Sequence, residues 1–255
     1  MLIRRVLLIA LLVLPAARAG ATDYTDIWYL PAESGWGVNV VQSDNFLFIT
    51  FFVYGSDGKP TWYVAQVTQD ASGNFNGTLY SATGTYFAAP WVGDVVSVAG
   101  TASFRPTNPS TATLVYTAIG APTVTKSIQR QTLTSVALGA SYTGGQAGQY
   151  SGCTDPAQNF LYKDTFDLQV TQQTDNSVTF AFTYPGLTCT LSGNLVQRGK
   201  LYSVPAATYV CSSGLNTAAS MSEIQATAQG IEGRFSAPSV GGNCSEDASF
   251  SAVLL

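Results

Sequence analysis

The chain has 255 residues, with 11 Lys and Arg against 15 Asp and Glu and no histidine. The missing imidazole excludes Ser-His-Asp and Cys-His nucleophilic sites, and most catalytic zinc sites with them. The acidic balance repels phosphate backbones, so nucleic acid is not an expected partner.

Residues 1–19 read as an export signal. Arg4 and Arg5 are followed by the apolar run Val6 to Leu14, and Ala17-Arg18-Ala19 ends in the small-x-small pattern that signal peptidase accepts. Cleavage after Ala19 leaves 236 residues, with 8 basic side chains against 15 acidic and a net charge of −7. No later stretch is apolar for long enough to span a bilayer as a helix, so the expected location is secreted or periplasmic, with no membrane span in the mature chain.

Three of the four tryptophans fall between Trp28 and Trp62, where turn residues separate runs of aromatic and β-branched side chains. That is the composition of paired strands. Trp36, Val38 and Val40 alternate with Gly37, Asn39 and Val41. The run Phe46 to Tyr54 is apolar at nearly every position, which predicts a strand covered on both faces. Asp57-Gly58 predicts a hairpin turn. Trp62 to Thr68, Asn74 to Ser81, Val95 to Phe104, Ala112 to Thr117 and Val124 to Thr132 bring the count to about seven strands. Residues 133–149 are rich in Ala, Gly, Ser and Gln and read as a linker.

From residue 150 the β pattern resumes. Phe166, Leu168 and Val170 alternate with polar partners, as do Val178, Phe180, Phe182 and Tyr184. Arg198-Gly199 predicts a hairpin turn, and Phe250, Ala252 and Leu254 share one face of a last strand. Residues 213–227 leave room for a short helix. The predicted fold is all-β. Antiparallel meanders form two small barrel- or sandwich-like domains, an aromatic-rich module over 20–132 and a second over 150–255.

Cys153, Cys189, Cys211 and Cys244 all lie in the second half. An even count in an exported chain predicts two disulfides, and long spacings without CxxC or histidine argue against metal. Cys153–Cys244 would join the first and last strands of a closing sheet. Cys189–Cys211 would cross the hairpin at Arg198-Gly199, with a bulge near Pro205.

Glu33-Ser34-Gly35-Trp36-Gly37, the aromatic run ending at Tyr54, Asp57-Gly58-Lys59-Pro60-Thr61-Trp62-Tyr63 and Lys126 to Gln131 together resemble a module of exported Gram-negative proteins. Its core reads Glu-Ser-Gly-Trp-Gly, then Tyr-x-x-x-Gly-x-Pro-x-Trp. The resemblance covers residues 27–132 and implies fold and compartment, not a reaction.

Among the acids of the first half, Asp44 and Asp57 sit in turn signals, where Asp serves the backbone. Glu33 and Asp94 remain as carboxylates for chemistry of the glycosidase kind. For Glu33, an ion pair that fixes the strand entry outweighs a catalytic role. Arg130 shares a face with Val124, Lys126 and Ile128, so a charge there needs a partner, and Glu33 is the expected one. Tyr54, Trp62 and Trp91, together with Trp28, adjoin turns and are the predicted ligand-facing rings, whereas Phe48, Phe52 and Trp36 are assigned to the core. The sequence favours a binding module for a glycan, a peptide or an apolar small molecule, with no catalytic residue, cofactor or metal. The rivals are a carboxylate enzyme acting on extracellular polysaccharide and an inhibitor or assembly partner of another exported protein. An aromatic groove holding two carboxylates would favour the enzyme, a groove without them the binder, and an exposed apolar loop tip the inhibitor.

Overall fold

A computed structural model describes residues 22–255 apart from Gly242, so the expected signal at 1–19 lies outside the described residues. The first eight strands are β1 (Asp26–Tyr29), β2 (Gly37–Ser43), β3 (Phe46–Tyr54), β4 (Pro60–Gln69), β5 (Phe75–Gly84), β6 (Asp94–Asn108), β7 (Thr111–Ala118) and β8 (Val124–Arg130). Each pairs antiparallel with the next, and β8 returns to β1 with Trp28 opposite Arg130. Closure leaves no sheet edge free to pair with another chain.

Period two decides what the first barrel buries. Val38 and Val40, then Leu47, Ile49 and Phe51, then Ala65 and Val67, point inward with Trp28, Phe75, Leu79, Phe104 and Leu114. Only one face of this wall is covered. Phe48 and Phe52 therefore stand on the outside, against the expectation of a strand covered on both faces. The eighth strand is β1, which the alternation pattern did not reveal because its four residues are too few to show a period.

The second sheet contains β9 (Ala140–Ser151), β10 (Leu161–Gln172), β11 (Ser177–Tyr184), β12 (Leu187–Asn194), β13 (Val196–Arg198), β14 (Leu201–Cys211), β15 (Asn216–Ala226), β16 (Gly230–Val240) and β17 (Cys244–Leu254), with one 3-10 turn at Pro156–Gln158. Its order is β12-β11-β10-β9-β17-β16-β15-β14-β13, and β12 also pairs with β14, so this sheet too forms a ring. Residues 213–227 are mostly strand rather than helix.

Within the expected linker, residues 133–139 carry no strand. From Ala140 onward the glycine-rich run is β9, paired on both sides with β10 and β17. Its glycines serve close packing. A Cβ at Gly144 would lie 2.2 Å from the carbonyl oxygen of Ser251, and one at Gly148 would lie 2.7 Å from the Tyr162 ring.

Arg130 is 1% exposed and pairs with Asp26 rather than Glu33. Its Nε donates to the carbonyl of Pro109 at 2.7 Å, and Nη1 donates to the Thr25 carbonyl and to Asp26 Oδ2 at 3.2 and 3.0 Å. Nη2 donates to the Asp23 carbonyl, and the guanidinium lies 4.9 Å from the Trp28 ring centroid. Glu33 is instead held by Lys126 at 2.7 Å and by the Trp36 indole at 3.0 Å. Both acids therefore fix the entry of the first strands, but with exchanged partners, because β1 lies between Arg130 and the Glu33 turn.

The β13–β14 turn seats on this cluster. Lys200 donates its backbone N–H to Asp26 Oδ2 at 3.1 Å and its ammonium to Asp23 at 2.7 Å, and the Gly199 N–H reaches Thr132 Oγ1 at 3.0 Å. Any Cβ at Gly199 would come within 2.3 Å of the Asp26 carboxylate, and its φ is +64°. Arg130→Ala would strand Asp26 and several carbonyls at this junction. A loss of about 3–5 kcal/mol in urea unfolding is expected. Lys126→Ala, at the exposed ion pair, should lose far less.

Candidate functional site

The residues expected to face a ligand are divided by the structure. Trp28 is fully buried, its indole donating to the Tyr24 carbonyl at 3.0 Å, and it is a core ring. Tyr54 and Trp62 are 55% and 49% exposed. Trp62 faces Phe52 across the β3–β4 ladder, and the Tyr54 hydroxyl lies over Gly35, where a Cβ would approach it to 3.0 Å. Trp91 is 70% exposed in the β5–β6 connection, near the edge-tilted pair Tyr86 and Phe87. Tyr54, Trp62 and Trp91 are all exposed, and none of them lines the cavity of the second barrel. Asp57 binds the Lys59 backbone N–H, as a turn aspartate does.

The concave site is in the second barrel. A cavity of about 1090 Å³ opens at the end of the ring that carries both disulfides, Cys153–Cys244 and Cys189–Cys211, the pairing favoured by the sequence. In β12 and β14 the two cysteines stand directly opposite each other. Between the pairs Gly193–Ala207 and Val196–Ser203, β14 carries one residue more than the facing chain, which is the bulge expected at Pro205.

Five strands deliver the polar interior. Gln146 and Tyr150 come from β9, Tyr162 and Asp164 from β10, Tyr184 from β11, Tyr209 from β14 and Glu246 from β17. The Tyr162 hydroxyl donates to Glu246, and the Tyr184 hydroxyl donates to Gln146 Oε1 at 3.1 Å. Tyr150 stacks on Tyr162 with centroids 5.1 Å apart, and Phe160 meets Tyr150 at 5.2 Å. Gly148 makes this possible, since the Tyr162 ring crosses β9 where its side chain would be. Phe160, Leu187 and Leu215 supply apolar wall.

Burial sets the electrostatics. Glu246 is 6% exposed, and desolvation raises its pKa above the ordinary carboxylate value, against the hydrogen bonds from Tyr162 and Tyr150. Desolvation likewise raises the hydroxyls of Tyr162, Tyr184 and Tyr209, and that of Tyr150 to about 12. All four phenols are protonated donors at neutral pH. Asp164 also lines the cavity and adds negative potential at Glu246. Among the described lining residues none is Lys or Arg.

Sequence reasoning missed this site, although one signal was present. Glu246 falls in step with Ala248, Phe250 and Ala252, so it is an acid on the buried face of its strand. Tyr162 and Asp164 are in step with Phe166 and Leu168 in the same way.

No family model matches the sequence, and no curated protein matches it. Three solved structures resemble the chain in part. A double mutant of transferrin binding protein B from Haemophilus parasuis Hp5 is 11% identical, with a TM-score of 0.33 over 86% of this chain and 60% of that one. The isotype 1 transferrin binding protein B from serogroup B Neisseria meningitidis is 12% identical, with a TM-score of 0.32 over 87% and 52%. Intact Ap-TbpB, with N and C lobes, is 13% identical, with a TM-score of 0.30 over 86% and 54%. The chain spans between half and three-fifths of the length of these proteins, and TM-scores near one third carry no functional inference.

Glu246 makes stability depend on pH. Its folded pKa lies above the unfolded one, so the native state keeps a proton that the unfolded chain releases, and stability falls as pH rises from about 4.5 through the folded pKa. Glu246→Gln should leave the melting temperature near pH 4 almost unchanged and raise it at pH 7–8. Trp62→Ala and Trp91→Ala remove exposed rings and should each shift stability by less than about 0.5 kcal/mol. Buried Trp28→Ala should cost about 3–5 kcal/mol in the same calorimetric series.

Proposed function

We propose that the protein is a non-catalytic binding module of the cell exterior or periplasm, and that it holds a small molecule in the second barrel. The observation that carries this reading is the open cavity of about 1090 Å³ walled by Tyr150, Phe160, Tyr184, Leu187, Tyr209 and Leu215. Natural ligand sites have this volume and this mixture of apolar wall with a few oriented polar groups. A folded peptide or a long glycan chain suits the site less well than a compact ligand, because the closed ring of strands offers neither a groove nor a free edge. The two disulfides support an oxidising compartment, in agreement with the signal pattern and with the resemblance of residues 27–132 to an exported module.

A carboxylate enzyme is the second reading, favoured by Asp164 and Glu246 lining one aromatic cavity. Against it, the Glu246 carboxyl, although it lines the cavity, already holds the Tyr162 hydroxyl. The exposed tip at Tyr86, Phe87, Trp91 and Val92 fits an additional protein contact, as in the assembly-partner reading, and leaves the cavity reading intact.

Equilibrium dialysis against periplasmic small-molecule extract, read by mass spectrometry, tests the proposal. At least one compound should be retained by the protein and lost from Tyr184→Ala and Tyr209→Ala, both checked for native melting. Retention unchanged in both variants would remove the cavity as the site. Chemical conversion of the retained compound, abolished by Glu246→Gln, would establish the enzyme instead.

A further inference from the structure

We infer that the ligand of the second barrel is an organic cation, an ammonium group carried on an apolar body. This rests on the cavity being the binding site. The cavity presents four aromatic rings, Tyr150, Phe160, Tyr184 and Tyr209, together with two carboxyl groups, Asp164 and Glu246, and no Lys or Arg among its described lining residues. Aromatic faces carry negative potential and attract ammonium groups, more strongly where water is excluded. Two acids with no basic neighbour add to that potential in the same place.

The other ligand classes fit the lining less well. An anion would meet two carboxyl groups and four ring faces of the same sign. A purely apolar ligand needs no acid in the wall, and burying Glu246 at the base of the cavity is unfavourable unless it is paired. A sugar would find the Tyr162 and Tyr184 hydroxyls already donating to Glu246 and Gln146, and would leave the buried Glu246 without a counter-charge. A cation supplies what Glu246 lacks, a counter-charge beside a carboxyl that is otherwise held by phenols alone.

Occupancy then couples to a proton. With the cavity empty, burial shifts Glu246 toward its neutral form, and a bound ammonium favours the carboxylate, so within the pH range in which Glu246 titrates binding releases a proton to solvent. The groups around Glu246 are Tyr150 on β9, Tyr162 and Asp164 on β10, Tyr184 on β11, Tyr209 on β14 and Asp247 beside it on β17. All four phenols stay protonated across the range in which Glu246 titrates. The cation should therefore bind more weakly as pH falls.

Three probes with one phenylalkyl body separate the cases by isothermal titration, namely 4-phenylbutylamine, 4-phenylbutan-1-ol and 4-phenylbutanoate. The amine should bind about tenfold or more tightly than the alcohol at pH 7.5, and the carboxylate should not bind measurably. Its affinity should fall between pH 7.5 and pH 5, where that of the alcohol stays level. Glu246→Gln, and Asp164→Asn at the exposed rim should the first variant fold poorly, should weaken the amine several-fold and leave the alcohol unchanged. Alcohol bound as tightly as the amine, and displaced by Tyr184→Ala, would overturn the cation inference while keeping the cavity as a binding site. If none of the three binds, or if the amine binds equally well to the Tyr184 and Tyr209 variants, both readings fall.

Discussion

The buried guanidinium of Arg130 is the constraint on which the arrangement of this molecule depends. A charge removed from water must be matched at every donor, and Arg130 is matched by Asp26, by three backbone carbonyls and by the face of Trp28. Those partners come from the chain before β1, from β1 itself and from the β6–β7 turn. The same set of bonds therefore ties the chain before β1 and the β6–β7 turn to the seam where β8 pairs with β1. The Asp26 carboxylate also receives the Lys200 backbone N–H, so the turn between β13 and β14 is located by a group already held in place. Gly199 is required there because its φ is positive and because no side chain fits between Asp26 and Arg130.

Glycine has a second role inside the second barrel. The Gly144 and Gly148 positions bring β9 against β17 and leave a gap that the Tyr162 ring crosses to reach Glu246. Strand glycines usually weaken a sheet, and here the weakness is offset by the tyrosine layer that the gap admits. The disulfides stand at the same end as the cavity, where strands that hold its polar groups would otherwise separate. The sheet, the glycines and the cysteines thus meet around one feature, the cavity at this end of the second barrel.

The two barrels divide their aromatic residues differently. In the first, Trp28, Phe51, Phe75 and Phe104 fill the interior, and Phe52, Trp62 and Trp91 are left exposed. In the second, Phe166, Phe180, Phe182, Phe235 and Phe250 fill the core, and a tyrosine-rich layer faces the cavity beside them. A filled interior leaves surface contacts only, whereas a cavity partly shielded from water strengthens any polar or aromatic contact made within it. The motif around Glu33 belongs to the first kind. It ties Trp36 and Lys126 at the rim and seats Tyr54 over Gly35, so its residue types are explained by strand entry alone.

The sequence by itself determined the all-β class, the Asp57-Gly58 turn and most of the strands, and it favoured the cysteine pairing that the structure shows. Period-two alternation, positive-φ turn residues and the register of one hairpin act over a few residues and are legible locally. Tertiary structure decided the rest. It placed the glycine-rich run in a strand, gave Arg130 to Asp26, and turned Phe48 and Phe52 outward. It also assembled a cavity from eight strands. The physical reason is the sequence distance between partners. Asp26 and Arg130 are 104 residues apart and Tyr162 and Glu246 are 84 apart, and only ring closure brings such groups into contact. An inward-pointing acid or arginine is visible in the alternation of its own strand, but the group that satisfies it is chosen by the closure of the barrel.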